Sequence, residues 1–360
     1  MKKPAALTGT HTLTEENPGW RAAWCRFWFA PRDAFGLHML RVLAGLLFLA
    51  WLLPFAGQVE AFFSLNGWFD AQAYIDASRL PDVARPYDAL GWSLFFIPGV
   101  DPNLLYWVFL GGIALFTLGI ATRLTGVLTF AVVVSFTANP VISYDADRLL
   151  PILAFYLMVG YLLLGQSWRG LSLGQRLLGV RGISVLSRSR QEEPPSIAAN
   201  LALRLFQVHF AFLVVMMGLD KLQVGDWWSG TAFWYWLYPA GTTLEAARAR
   251  AGDAQSYLTF MSLGVYAVLA WQIGFPLFAW RRGWRLVLLG GAVIGWIGLA
   301  MMCGLPLFGP ILLIACLSYL TPEEWQRWFG FLGKFRRGAA TPARQEAAAR
   351  KESKETALVP

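Results

Sequence analysis

The sequence predicts an all-α membrane protein, a polytopic helical bundle of about eight transmembrane helices with both termini cytoplasmic, and three observations lead there. The chain is 56% hydrophobic and only 14% charged over 360 residues, an apolar excess that one soluble core of this length does not require. Its apolar residues fall in runs of about 20, the length that crosses a bilayer core of about 30 Å. Its Lys and Arg residues concentrate in alternate connections, the bias that orients helices in a membrane.

Asn17 and Pro18 suit a helix start, and Trp20, Ala23, Trp24, Phe27 and Trp28 then recur at helical spacing with Arg21 and Arg26 beside them. This reads as a helix lying in the inner interface, within a cytoplasmic segment 1–35. A first membrane half, 36–166, holds apolar runs near 36–56, 103–121, 124–140 and 148–165. A linker follows at 167–197, rich in Arg, Gly and Ser and carrying Pro194 and Pro195. The second membrane half, 198–320, holds runs near 199–219, 257–279, 285–303 and 305–320. The third, fourth and eighth runs are short or Pro-bounded, so seven spans are also compatible with the pattern. Thr321, Pro322 and Glu324 form a capping box that opens a second interfacial helix, 321–337, with Trp325, Trp328, Phe329 and Leu332 on one face. Residues 338–360 lack aromatics and read as a disordered tail.

With the N-terminus inside, eight spans put Lys2, Lys3, Arg21, Arg26, Arg32, Arg123, Arg169, Arg281, Arg282, Arg285, Lys334 and Arg336 on the cytoplasmic side. Arg79, Arg85, Arg148, Lys221, Arg248 and Arg250 fall on the other face, among numerous Asp and Glu residues. The net charge of +8 is therefore explained by topology, and nucleic acid is not an expected partner. Arg41 and Arg123 read as residues snorkelling to the inner interface. No cleavable signal peptide is expected, because the first apolar run begins near Gly36 after a basic, aromatic segment. Cys25, Cys303 and Cys316 are spaced as neither a disulfide framework nor a metal site.

Two outer connections are long, Gln58 to Pro102 with FFSLNGWFD inside it, and Lys221 to Tyr257. Both place a Gly beside a Trp, as a duplicated four-helix unit would. The second follows an apolar run that ends directly in Asp220 and Lys221, ahead of Trp227, Trp228 and Trp234. A charge pair at the rim of an apolar helix is costly unless used or neutralised. Lys221 is accordingly a candidate base, or else half of an interfacial ion pair with Asp220 or Asp226. His209 lies on roughly the helical face of Asp220 but three turns away, too far to touch it. It is either a catalytic group or a packing histidine bonded to a neighbouring helix. Tyr144, Asp147 and Arg148, with Asp145, either line a cavity between spans three and five or form a charge cluster that caps span four. The Trp and Tyr enrichment is first a membrane-surface belt and secondarily a ligand pocket.

The order of several segments carries a family likeness: FFSLNGWF (62–69), LGIATR (118–123), ANPVISYDADRLLP (138–151), LSL (171–173) and QVHFAFLVVMMGLDKLQVGDWWSG (207–230). Across most of residues 36–320 this succession resembles the bacterial HTTM (horizontally transferred transmembrane domain) proteins. These are relatives of the vitamin K-dependent gamma-carboxylase, with a more distant likeness to small DoxX-type membrane proteins. The resemblance implies a multi-pass protein of the bacterial cytoplasmic (inner) membrane. In the carboxylase a lysine before a Trp and Gly deprotonates reduced vitamin K, and Lys221 stands in the matching place. Partial withdrawal from water favours the neutral amine that such a step needs. The resemblance thus implies a reduced quinone as ligand, proton abstraction by Lys221 with Asp220 and His209 nearby, and an epoxidase-like oxidation by oxygen. Trp227, Trp228, Trp234, Tyr144, Asp147 and Arg148 would form the ligand-binding wall.

Departures limit this expectation. Where the carboxylase has paired asparagines and a histidine before span four, this chain has Tyr144, Asp145 and Ala146. Where many family members carry a glutamate and a histidine in spans six and seven, it has Gln272 and Trp296. The lumenal region that engages the carboxylase's peptide substrates has no counterpart, so protein carboxylation is not expected. Recognition of a lipophilic quinone or lipid is the leading expectation. The alternative is a non-catalytic membrane scaffold, or a factor for maturation or export of a secreted peptide with a membrane partner protein, as sporulation-delaying peptide systems suggest by similarity.

Overall fold

The computed structural model describes residues 19–64, 66–68, 76, 93–96, 99–139, 142, 149–164, 195–234, 243, 245, 254–303 and 308–328. Among these the regular structure is helical: α1 (Trp20–Phe29), α2 (Phe35–Leu52), α3 (Val59–Phe63), α4 (Pro102–Leu118), α5 (Thr122–Thr137), α6 (Leu149–Leu164), α7 (Ile197–Lys221), α8 (Gly225–Trp228), α9 (Ala254–Phe278), α10 (Arg282–Cys303) and α11 (Phe308–Leu317). A last helix, α12, covers 322–328. Each of the eight apolar runs contains one of these helices, the last over Phe308–Leu317 only. Three are long and apolar enough to cross a membrane, Phe35–Phe55, Ile197–Lys221 and Leu258–Phe278; Pro102–Leu118, Thr122–Thr137 and Leu149–Leu164 are shorter apolar helices.

Local signals explain the ends. Asp101 accepts a hydrogen bond from the backbone N–H of Asn103 at 2.9 Å and Pro102 takes the first turn, so α4 starts there. It stops at Gly119, whose φ of 90° is left-handed, with Gly119 N–H donating to the carbonyls of Leu115 and Phe116. Ser196 caps α7 through Ala199. The backbones of Ser196 and Arg32 also exchange hydrogen bonds of 2.8 and 3.1 Å, which pins the start of α7 to the turn before α2. The predicted capping box is present: Glu324 accepts from Thr321 N–H at 2.9 Å, and Glu324 N–H donates to the Thr321 hydroxyl at 3.4 Å.

Helices pack mainly on their neighbours in sequence. α2 packs on α4, α4 on α5, α5 on α6, α6 on α7, α7 on α9 and α10 on α11; α11 then returns to α2. The core is continuous through both halves, from Phe48, Phe63, Phe136 and Tyr161 to Phe206, Phe275 and Tyr319. At Gly45 on α2 any side chain would collide with Thr117 of α4, so a missing Cβ sets that close crossing.

Arg41 departs from the snorkelling expectation. It is fully buried, donates to the Tyr161 hydroxyl at 3.2 Å and lies 5.3 Å from that ring's centre. His38 Nδ1 bonds the same hydroxyl at 2.7 Å. A Cβ on Gly119 would come within 2.8 Å of the guanidinium. The charge therefore faces the last turn of α4, the negative end of that helix, which suits a cation.

The segment FFSLNGW is held by polar groups from later in the chain. Asn139, fully buried, donates to the carbonyl of Phe62 at 2.5 Å. Asn103 donates to Glu60 at 3.1 Å. Phe63 then sits among Phe95, Tyr106 and Phe136, with ring centres 4.7 to 6.2 Å apart.

Candidate functional site

The last turn of α7 carries Asp220 and Lys221, and two side chains close its carbonyl end. The Lys221 ammonium donates to the carbonyl of Met217 at 3.1 Å. The indole N–H of Trp228 donates to the carbonyl of Leu222 at 2.5 Å. Such groups satisfy carbonyls that a helix end leaves open, and a cation also suits the negative end of the helix. Lys221 is half-buried, and its Nζ lies 5.3 Å from the ring centre of Trp227, a cation–π distance.

Trp227 is buried and anchors a small satellite core with Ala232, Val265 and Leu269, with Phe233 edge-on at 6.1 Å. It ties the turn after α7 to α9. Trp228 is instead 63% exposed, and its backbone carbonyl accepts from the Tyr266 hydroxyl at 2.7 Å. Trp234 is half-buried, and its backbone N–H donates to the Thr231 carbonyl at 2.8 Å.

The structure thus brings Lys221, Trp227 and Trp228 together. Asp220 is exposed; its charge reaches Lys221, but neither it nor Asp226 lies within ion-pair distance of the ammonium, whose bond goes to Met217. His209 is a separate site about 18 Å along the helix. It bonds the Tyr156 hydroxyl of α6 at 2.8 Å and meets that ring edge-on at 5.5 Å. Tyr144, Asp145, Asp147 and Arg148 lie outside the described residues, as does most of the linker.

Two small hollows occur elsewhere. One is lined by Phe275, Arg285, Leu289, Cys316 and Tyr319, the other by Leu40, Leu153, Tyr156, Ala202 and Phe206; each has room for little more than a water.

Sequence reasoning missed Gln207, which is 1% exposed and joins three elements. Its Nε2 donates to the Ser318 carbonyl at 2.7 Å, and its Oε1 accepts from Arg204 at 3.0 Å and from the Trp280 indole at 3.3 Å. Its backbone carbonyl accepts from the Tyr319 hydroxyl. The only signal available in sequence was an amide within an apolar run, two residues before His209. No family model, no curated protein and no solved structure matches this chain.

Proposed function

We propose that this chain is a multi-pass protein of the bacterial inner membrane, with about eight spans and both termini cytoplasmic, and that the outer end of α7 binds a lipophilic quinol. The carrying observation is the placement of Lys221, half-buried over the Trp227 ring with one backbone carbonyl as its hydrogen-bond acceptor and, among the described residues, no carboxylate paired to it. A reduced quinone supplies a weakly acidic hydroxyl. Neutral Lys221 accepts that proton: the quinol O–H bond breaks, an N–H bond forms, and the new ammonium is stabilised by the Met217 carbonyl and the indole face already beside it. The exposed ring of Trp228 offers a flat surface on which such a ligand stacks.

A second reading has an observation of its own. The Met217 and Trp227 contacts are also what a structural anchor makes, and on that reading the protein is a non-catalytic scaffold or peptide-maturation factor.

Lys221→Arg separates the two. Arginine keeps the cation and reaches both partners, yet it does not give up its proton. On the quinol reading, with dioxygen as the oxidant that takes the electrons of the deprotonated quinol, Lys221→Arg and Lys221→Ala both abolish turnover of a reduced naphthoquinone by the purified protein while the melting temperature stays near wild type. An active Lys221→Arg variant, or organic extracts of the wild type free of quinone, would leave the anchor reading.

A further inference from the structure

Three arginines far apart in sequence converge at the opposite end of α7: Arg32 before α2, Arg204 on α7 and Arg285 on α10. Arg204 lies in the field of both others, and Arg32 in that of Arg285. Two carboxylates face them, Glu323 and Glu324. Glu324 is already used, binding Arg285 at 2.5 Å and the N–H of Thr321. Glu323 is exposed and bonded to Thr321.

Among the described residues no acid pairs with Arg204. Its Nη1 goes to a neutral amide oxygen on Gln207, its guanidinium stacks 4.3 Å from the centre of Phe27, and its Nε is buried with no hydrogen-bond partner. Arg32 is half-buried and bonded only through its backbone among the described residues. Burial first, and Arg285 second, hold its guanidinium below the ordinary arginine range. A surplus of positive charge withdrawn from water is a standing cost unless an anion joins it.

We propose that this end of the bundle binds a phosphate group, with Arg204 and Arg32 as its direct partners and Arg285 held behind them by Glu324. Guanidinium forks match phosphate oxygens two at a time, and their charge-assisted bonds are the strong kind. The phosphate comes from a phospholipid headgroup or from a free anion. The surroundings favour the lipid: α1, which supplies Phe27, exposes Trp20 (74%) and Trp24 (58%), the side chains that settle at headgroup depth. Asn200 fastens this helix to α7, donating to the carbonyls of Phe27 and Trp28 at 3.0 Å each. The site is independent of Lys221, which lies about 25 Å away along α7.

The test uses the full-length protein in a neutral detergent and native mass spectrometry. Phosphatidylglycerol and a diacylglycerol of the same acyl chains are offered in parallel, with and without millimolar inorganic phosphate. The expected result is retention of phosphatidylglycerol and loss of diacylglycerol, with binding about tenfold weaker in Arg204→Gln and in Arg32→Gln, the loss of one good charge-assisted contact. Displacement by inorganic phosphate assigns the source as a free anion; persistence assigns the headgroup. Equal retention of the two lipids overturns the proposal. So does wild-type binding by Arg32→Gln, which decides the matter if Arg204→Gln fails to fold, because no side-chain hydrogen bond among the described residues holds Arg32 in place.

Discussion

Replacing Gln207 by Leu keeps the side-chain volume and removes every polar atom from the junction of α7, α9 and the turn after α11. Three bonds go: Nε2 to the Ser318 carbonyl at 2.7 Å, Arg204 to Oε1 at 3.0 Å, and Trp280 to Oε1 at 3.3 Å. The partners stay behind at a position only 1% exposed. Each buried group left unsatisfied costs about 1–3 kcal/mol, more when it is charged. The Trp280 bond is long and contributes least, while Arg204 can turn partly toward water, so the sum is on the order of 3–5 kcal/mol. At about 2 °C per kcal/mol for a large domain, the melting temperature of detergent-solubilised protein should fall by about 6–10 °C at a fixed scan rate. Gln207→Glu keeps acceptors for Arg204 and Trp280 but turns a carboxylate oxygen toward the Ser318 carbonyl, so it too should destabilise, by less than Leu because Arg204 gains a charged acceptor. The bond from Tyr319 to the Gln207 backbone is unchanged in both. A Leu variant melting within about 1 °C of wild type would refute the assignment of Gln207 as the junction's hub.

Gly119→Ala should destabilise by at least about 1–2 kcal/mol from the left-handed backbone alone, with a further loss because the new methyl meets Arg41 at 2.8 Å; thermal unfolding measures it, and a silent substitution would count against the buried guanidinium. Tyr161→Phe removes the hydroxyl shared by His38 and Arg41, and a loss of about 1–3 kcal/mol is expected in the same assay. A pH dependence follows from Glu323, whose carboxyl is held below its usual range by the Thr321 hydroxyl, then by its own backbone N–H. A depressed carboxylate stabilises the folded state above its unfolded-state pKa, near the ordinary 4.5, and that contribution is lost as pH falls through the lower folded value. Melting curves between about pH 6 and pH 3 should therefore show a small acid-induced decline that is weaker in Thr321→Val.

Much of the architecture was legible in the chain because it is written locally. A long apolar run without a breaker favours a helix; each of the eight runs contains one among the described residues, and three of these are long and apolar enough to cross a membrane. The Thr321–Glu324 capping box and the aromatic helix α1 were equally readable, since their signals lie within a few residues of the elements they start. At the end of α7 the sequence placed Lys221 beside Trp227, but its acceptor proved to be Met217, one turn back on the same helix, where an acidic neighbour had been the obvious candidate. That choice depends on rotamers and on the course of the turn after α7, which no spacing encodes.

By itself, then, the sequence determined which segments are apolar helices and where several of them begin and end, because propensity, capping and hydrophobic length act over one or two turns. Only the tertiary structure decided which polar groups meet inside the bundle. Arg41 turns toward the end of α4, Asn139 reaches Phe62, and Arg32, Arg204 and Arg285 gather around Gln207 and Glu324. Their partners come from helices tens to nearly two hundred residues away, and the crossings that unite them are set by packing across the whole bundle, Gly45 against Thr117 among them.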